Sequence, residues 1–253
     1  MKVEPGVAVQ VVGLSVGWSQ EPLLVDLSFE VRRGSIFAIL GGSGSGKSTL
    51  FRHLIGLEAP LTGRVEIAGV GDPLQARGRP RFGVLFQSSG LLGSWTLGAN
   101  LELPLRRWTA LEPEEREAVV CARLGQVGLC GYQNHLPAEL SGGMRKRGGI
   151  ARALVLDPEL VFLDEPGAGL DPVTAAQLDD LILTLNRNLG LTVVLVTHEL
   201  ASIERLVEDC ILLDREEKGI LARGDPRQLR VESPDPRVRA FFQPETLSTP
   251  AVP

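Results

Sequence analysis

Ile36-Phe37-Ala38-Ile39-Leu40-Gly41-Gly42-Ser43-Gly44-Ser45-Gly46-Lys47-Ser48-Thr49 is the stretch on which the reading of the chain turns. Its apolar start is the pattern of a short buried strand. It runs without a spacer into a G-x-x-x-x-G-K-[ST] frame over Gly41 to Ser48, and a helix follows through Leu50 to Ile55. Glycines at positions 41, 42, 44 and 46 let successive backbone N–H groups turn inward around a polyphosphate, and the helix start adds partial positive charge. Lys47 then bridges the outer phosphates and Ser48 offers its hydroxyl to Mg2+, with Ser43, Ser45 and Thr49 completing the nucleotide-binding stretch. A Gly/Ser linker matching by chance is the bland alternative, and the Lys-Ser-Thr exit between strand and helix argues against it. No G-x-G-x-x-G frame fits these glycines, so a dinucleotide fingerprint is excluded.

Outward from this loop, the strand-like Leu160 to Leu163 ends in Asp164-Glu165-Pro166, which delivers two carboxylates to a sheet edge. Consecutive residues at a strand end diverge, so Asp164 can face a metal shell while Glu165 polarises a water for attack on a γ-phosphate. Next comes a helix opened by Asp171 as N-cap and Pro172 at its first position. Its apolar residues Leu178, Leu181, Ile182, Leu185 and Leu189 recur at helical spacing, and Gly190 ends it before a strand over Leu191 to Val196. Such strand-helix-strand alternation predicts a parallel sheet with ligands at the carboxyl ends of its strands. Before the phosphate loop, Val7 to Val16, Leu27 to Val31 and Ile36 to Leu40 are rich in β-branched residues and read as a β-rich lobe. Leu101 to Leu129 favours helix, with Pro113 followed by Glu114, Glu115 and Glu117 as a first turn prefers.

Leu140-Ser141-Gly142-Gly143 is the most diagnostic segment after the phosphate loop, because a hydroxyl and two exposed amides at a helix start suit a second phosphate site. Taken in order, the phosphate loop, this LSGG segment, Asp164-Glu165, Gly169-Leu170-Asp171-Pro172 and Thr197-His198 resemble the nucleotide-binding subunit of ATP-binding cassette (ABC) proteins. The resemblance covers about Val7 to Gly224. It implies an α/β fold of P-loop NTPase type, with a mostly parallel sheet core, an antiparallel β N-terminal lobe and a helical insert. As one nucleotide-binding unit this would span 3–242, the core being about 3–87 and 158–224 and the insert about 88–157, with 243–253 a disordered tail rich in Pro, Ser and Thr.

The same resemblance implies ATP hydrolysis with Mg2+, and a second copy of the chain placed head to tail. Ser141, Gly142, Gly143 and Asp171 would act in trans on the ATP of the other copy. Gln87, after the strand-like Gly83 to Phe86, would touch Mg2+ and the attacking water; His198 would steady the γ-phosphate and Glu165. Mg2+ would be held by Ser48, Gln87 and Asp164. Asp171 also reads as a plain N-cap, and Trp18 stands where the family places an adenine-stacking aromatic, although a core tryptophan fits that position as well.

The chain departs from the usual pattern at Met144, Arg145-Lys146-Arg147 and Gly148-Gly149. Two mid-helix glycines cost about 1 kcal/mol each relative to Ala. They imply either close packing of another backbone or a helix that bends. Together, Gly83-Val84-Leu85-Phe86-Gln87-Ser88-Ser89-Gly90-Leu91-Leu92, the Met144 variant and Ala168-Gly169-Leu170-Asp171-Pro172 resemble the ATPase subunit of Mce or maintenance-of-lipid-asymmetry (Mla-type) transporters. That implies a motor for phospholipid or other hydrophobic molecules moving between bacterial membranes, with a membrane permease and an Mce-type partner. The surface around Leu91, Leu92, Trp95, Thr96 and Leu97 would dock the permease, or else those residues cover the local core.

Composition narrows the classes further. The 253 residues carry 26 Lys+Arg against 31 Asp+Glu, a formal charge of −5, and are 43% hydrophobic, as expected of a globular protein with a full core. This mild acidity gives no support for a nucleic-acid partner. Cys121, Cys130 and Cys210 fit neither a C-x-x-C pair nor a zinc knuckle and read as packing residues in a reducing compartment. The apolar run Leu191 to Val196 is far short of the roughly 18 residues a membrane helix needs. Lys2 is followed by Glu4-Pro5-Gly6 rather than by a secretory pattern. These features lead one to expect a cytoplasmic chain, and the resemblance implies that it sits on the inner face of the membrane through its permease. The alternatives are a soluble ABC ATPase serving an assembly scaffold, such as iron–sulfur cluster building, or the ATPase of another ABC importer or exporter. DNA-repair ABC ATPases are disfavoured, because the span from Lys47 to Leu140 holds neither sustained heptads nor ligand cysteines.

Overall fold

The computed structural model describes residues 4–18 and 21–243. Two sheets organise them. The smaller is antiparallel, in the order β2-β1-β4, from β1 (Val7–Trp18), β2 (Glu21–Arg32) and β4 (Thr62–Ile67). The larger contains β3 (Ile36–Gly41), β5 (Phe82–Leu85), β6 (Leu160–Asp164), β7 (Thr192–Val196), β8 (Asp209–Asp214) and β9 (Gly219–Gly224), in the order β5-β6-β7-β3-β8-β9. All its pairings are parallel except that of β8 with β9. β3 therefore belongs to the middle of the parallel sheet rather than to the β-rich lobe with which its composition grouped it.

The sheet is buried on both faces, so its strands read as apolar runs without alternation. Alternate residues nonetheless go to opposite layers. Ile36, Ala38 and Leu40 of β3, Val161 and Leu163 of β6, and Val193 and Leu195 of β7 pack against the helical layer. Phe37, Ile39, Phe162, Val194 and Val196 pack against the antiparallel sheet and helix α1 (Lys47–Leu54). There Phe29 stacks on Phe37 at 5.6 Å between ring centroids, and Phe51 meets Phe162 edge-on at 6.2 Å.

The helical stretch expected over Leu101 to Leu129 is two helices, α2 (Leu97–Trp108) and α3 (Pro113–Gln126). Thr96 caps the first by accepting from the Ala99 amide, and a Glu112/Glu115 capping box with Pro113 opens the second. Helix α4 (Gly142–Leu154) follows Ser141, and α5 (Pro172–Leu189) runs from its Asp171 cap to Gly190, which ends it at φ 64°. The short helices α6 (Leu200–Leu206), α7 (Pro226–Glu232) and α8 (Pro236–Phe242) complete the described chain. Of the tail expected over 243–253, all but Gln243 lies outside the described residues.

The structure corrects the packing reading of two cysteines and decides two alternatives that the sequence leaves open. Cys121 and Cys130 are exposed, the first on the outer side of α3 beside buried Val120 and the second after its end. Only Cys210 packs in the core, where burial pushes its thiol up to about 12. Leu97 is fully buried and Leu91 packs on the core, so of the expected docking residues Leu92 and Trp95 are the large apolar side chains left exposed. The glycine pair in α4 reflects close packing rather than a bend: α4 runs unbroken. A Cβ at Gly149 would lie 2.8 Å from the Ser89 carbonyl oxygen and 2.5 Å from Leu85 Cδ1, whereas one at Gly148 would meet only side-chain ends, Leu97 at 2.7 Å and Leu91 at 3.6 Å.

Two measurements follow from this packing. Gly149→Ala adds helix propensity but forces a methyl against backbone, so thermal unfolding should show a net loss of about 1–2 kcal/mol, with Gly148→Ala nearer neutral. A stabilised Gly149→Ala would refute the close approach. The second concerns Asp179, buried on α5, whose carboxylate accepts from Ser202 Oγ of α6 at 2.9 Å and whose pKa burial raises to about 6. A raised acid binds more protons folded than unfolded, so its contribution is present below pH about 4 and is lost as pH rises through about 6. Relative to Asp179→Asn, the parent should lose about 1–2 kcal/mol over that window after allowance for solvent screening; urea midpoints of both chains against pH decide it.

Candidate functional site

The parallel register of β5, β6, β7 and β3 brings their carboxyl ends to one edge of the sheet. The phosphate loop leaves β3 there, Gln87 follows β5, Asp164 and Glu165 end β6, and Thr197-His198 follow β7. Segments far apart in sequence thus meet where open parallel sheets place their ligands.

The loop itself is tightly built. Gly41 adopts φ 153° and a Cβ there would strike the Leu213 carbonyl oxygen at 2.8 Å, so the turn out of β3 admits only glycine. Gly46, at φ 95°, is the N-cap of α1 and offers no side chain to the first-turn amides. Lys47 is buried, and its ammonium donates to the carbonyls of Gly41 at 2.8 Å and Gly42 at 2.9 Å. Burial lowers its pKa, against the attraction of Glu165 and Asp164.

Asp164 has its pKa raised by burial and by the adjacent Glu165, with Lys146, Arg52 and Lys47 opposing. Glu165 is buried at φ 47°, a left-handed conformation costing a non-glycine residue of order 1–3 kcal/mol. Its amide donates to the Val196 carbonyl at 2.8 Å, and its Oε1 lies 2.7 Å from Nδ1 of exposed His198. Among the described residues, Ser45 Oγ, Asp164 Oδ1 and Glu165 Oε2 are buried without a hydrogen-bond partner. Three oxygens with open valence therefore gather beside the phosphate loop.

The remaining residues divide clearly. Gln87 is exposed, with its backbone carbonyl bound to the Lys146 ammonium at 2.8 Å. Ser141 stands exposed as N-cap of α4, accepting from the Met144 amide; Gly142 is half-buried and Gly143 buried against Thr174. Asp171 Oδ1 accepts from the amides of Val173 and Thr174, and these bonds with that of the Thr174 hydroxyl hold its pKa below the usual carboxylate range. The N-cap reading of Asp171 holds as geometry. Trp18 is 56% exposed, which removes the core-tryptophan alternative. Lys146 is the buried charge that sequence inspection passes over, because a lysine within Arg145-Lys146-Arg147 looks like part of a solvated basic face.

No helix among the described residues is long and apolar enough to cross a membrane. Comparison with known proteins adds the lineage. The family described as ABC transporter matches residues 24–168. The chain is 40% identical over 244 residues to a probable ribonucleotide transport ATP-binding protein, mkl, of Mycobacterium leprae, covering 94% of this chain and 69% of that one. It is 39% identical over 222 residues to MlaF, the ATP-binding protein of the intermembrane phospholipid transport system of Escherichia coli K12, covering 86% and 81%. Among solved structures, the dimeric post-hydrolysis state of the ATP-binding cassette MJ0796 with ADP and phosphate matches at a TM-score of 0.75 and 29% identity, over 86% of this chain and 98% of that one. The chain therefore belongs to the ABC transporter family as an ATP-hydrolysing subunit.

Proposed function

We propose that this chain is the motor of a transporter that moves phospholipid or other hydrophobic molecules between bacterial membranes. It would act through a separate permease with an Mce-type partner, held at the inner face of the cell membrane. The observation that carries the motor reading is the paired Glu165 and His198: one carboxylate oxygen is fixed by the imidazole, and the other, buried and unpartnered, is left to accept a proton. The cargo reading is supported by the likeness to MlaF over most of both chains.

In this reading the amides of Gly42 to Lys47, the α1 N-terminus and the Lys47 ammonium hold the phosphates of ATP, and Trp18 offers its exposed face to adenine. Glu165 Oε2 takes the proton of the attacking water while His198 keeps the carboxylate aimed and meets the γ-phosphate. Gln87 orients the water. Mg2+ fits the donors present, because the buried and unpartnered Asp164 Oδ1, the Ser48 hydroxyl and Gln87 are the hard oxygens this ion prefers. When bound it would neutralise charge developing on the phosphates. Ser141, Gly142 and Gly143 open α4 and Asp171 caps α5, with Ser141 and Asp171 exposed; these residues would close over the ATP of a second copy placed head to tail.

Glu165→Gln keeps the shape and removes the base, so ATP turnover should fall roughly a hundred- to ten-thousand-fold while ATP-dependent dimerisation persists. Unchanged turnover would overturn the assignment of the base. Ser141→Arg should leave ATP binding to the monomer intact and block dimer closure; loss of monomer binding would contradict action in trans. Cargo is tested by tagging Glu165→Gln, extracting membranes in mild detergent with ATP and Mg2+, and identifying the co-purifying proteins and lipids by mass spectrometry. A multi-pass permease with an Mce-type protein and phospholipid is expected. A wholly soluble complex would favour the scaffold ATPase instead.

A further inference from the structure

Lys146 sits in a basic triplet, where a lysine ordinarily keeps its ammonium in water. Here it is 7% exposed and turned inward from α4, donating to the Gln87 carbonyl at 2.8 Å and to the Glu165 carbonyl at 2.9 Å. Those acceptors come from segments after different strands, β5 and β6, and the donor comes from the helix that Ser141 caps. One ammonium joins three parts of the site.

The contact is not incidental to good packing nearby. A hollow of about 220 Å3 lies between Gln87, Gly142, Lys146 and Leu170, so the start of α4 and the Gln87 segment are not packed solid there. Lys146 also begins a stripe along α4 at a spacing of three residues: Gly149 lies against the Ser89 backbone, and Arg152 donates to the Gly90 carbonyl. These contacts hold the chain from Gln87 to Gly90 along the helix. Lys146 differs from them in reaching across to Glu165 as well, at the left-handed residue whose carbonyl must be held for its carboxylate to keep its aim.

We propose that Lys146 is a positioning residue for ATP hydrolysis, one that sets the backbones of Gln87 and Glu165 against the helix carrying the LSGG segment, so that movement of this helix is felt at both. The inference rests on the reading of Glu165 as base and Gln87 as water-orienting residue. It requires Lys146 to affect turnover without affecting capture of ATP, because the phosphate loop makes no bond to it.

The test uses the full chain carrying Lys146→Met, Lys146→Arg or Lys146→Gln, beside Glu165→Gln, with steady-state ATP hydrolysis, binding of a fluorescent ATP analogue and thermal unfolding measured on each. Lys146→Met should lower kcat about ten- to a hundredfold, the scale of one charge-assisted hydrogen bond, with KM and analogue affinity within about twofold of the parent. Lys146→Arg, whose guanidinium retains donors for both carbonyls, should recover most of the rate. Lys146→Gln, which can serve one carbonyl, should fall between and decides the matter if the methionine variant does not fold. Parent-level kcat in the methionine or glutamine variant would overturn the proposal. So would loss of ATP binding in proportion to kcat together with a collapsed melting temperature, which would mark a general structural role. Normal turnover in Glu165→Gln would instead remove the underlying reading of the base. Lost turnover there, with Lys146→Met at full rate, would overturn the Lys146 proposal alone.

Discussion

The balance of buried charge at the carboxyl edge of the parallel sheet governs the arrangement of everything around it. Burial disfavours the charged forms of Asp164, Lys47 and Lys146, and the attraction between these acids and lysines, with Glu165 adding to it, works the other way. Two carboxylates side by side would repel; two ammoniums brought in from α1 and α4 offset that. Each lysine is further anchored by carbonyls rather than by a carboxylate: Lys47 by Gly41 and Gly42, Lys146 by Gln87 and Glu165. The acidic oxygens are therefore left open, and Asp164 Oδ1 and Glu165 Oε2 are buried without partners. A stability-optimised core would satisfy those atoms. Leaving them open is how a folded protein keeps valence in reserve for a ligand.

Strain follows the same division. Glu165 pays for its left-handed backbone through bonds on every side: its amide to Val196 on β7, its carbonyl to Lys146, its carboxylate to His198. Because β6 and β7 are in register with Asp164 opposite Val196, the residue after Asp164 meets a carbonyl on the neighbouring strand as it leaves the sheet. The strained conformation is thus held by ordinary sheet geometry plus one lysine and one histidine. Both strand ends that supply these contacts are set by apolar runs sandwiched between two core layers, which makes the edge stiff.

This arrangement was only partly legible in the chain. Gly41 to Thr49, Asp164-Glu165 and the Asp171-Pro172 start declare themselves because their chemistry is local: a glycine frame, a strand ending in acids, an N-cap before proline. The parallel sheet was legible for the same reason, since apolar runs alternating with amphipathic helices admit few other folds. β4, β9 and the helices α6 to α8 carry weaker patterns; β4 begins with three exposed residues, and each of those helices is only seven residues long. The membership of β3 was misread because β-branched composition describes a strand without saying which strands will pair with it. Cys121 and Cys130 were misread because a cysteine has no side-chain signal separating a core position from an outer one beside it. What composition could not convey at all is depth: Lys146 and Arg145 are neighbours in a basic triplet, and only the fold decides which one is turned inward.

The glycines of α4 and the burial of Lys146 are one feature seen from two sides. A lysine can reach the carbonyls of Gln87 and Glu165 only if its helix lies close to the chain leaving β5. The closest approach is at Gly149, where any side chain would press on the Ser89 carbonyl oxygen. Gly149 is one turn beyond Lys146, on the same face of the helix. Glycine there weakens the helix by about 1 kcal/mol against alanine, and that loss is offset by the contacts it permits on either side: Lys146 to Gln87 and Arg152 to Gly90. An ordinary helix former at 149 would push α4 outward and lengthen both bonds. Gly149 therefore belongs with the site chemistry rather than with helix stability. A sequence keeping Lys146 but replacing Gly149 with a larger residue would keep the charge and lose the reach that gives it a use.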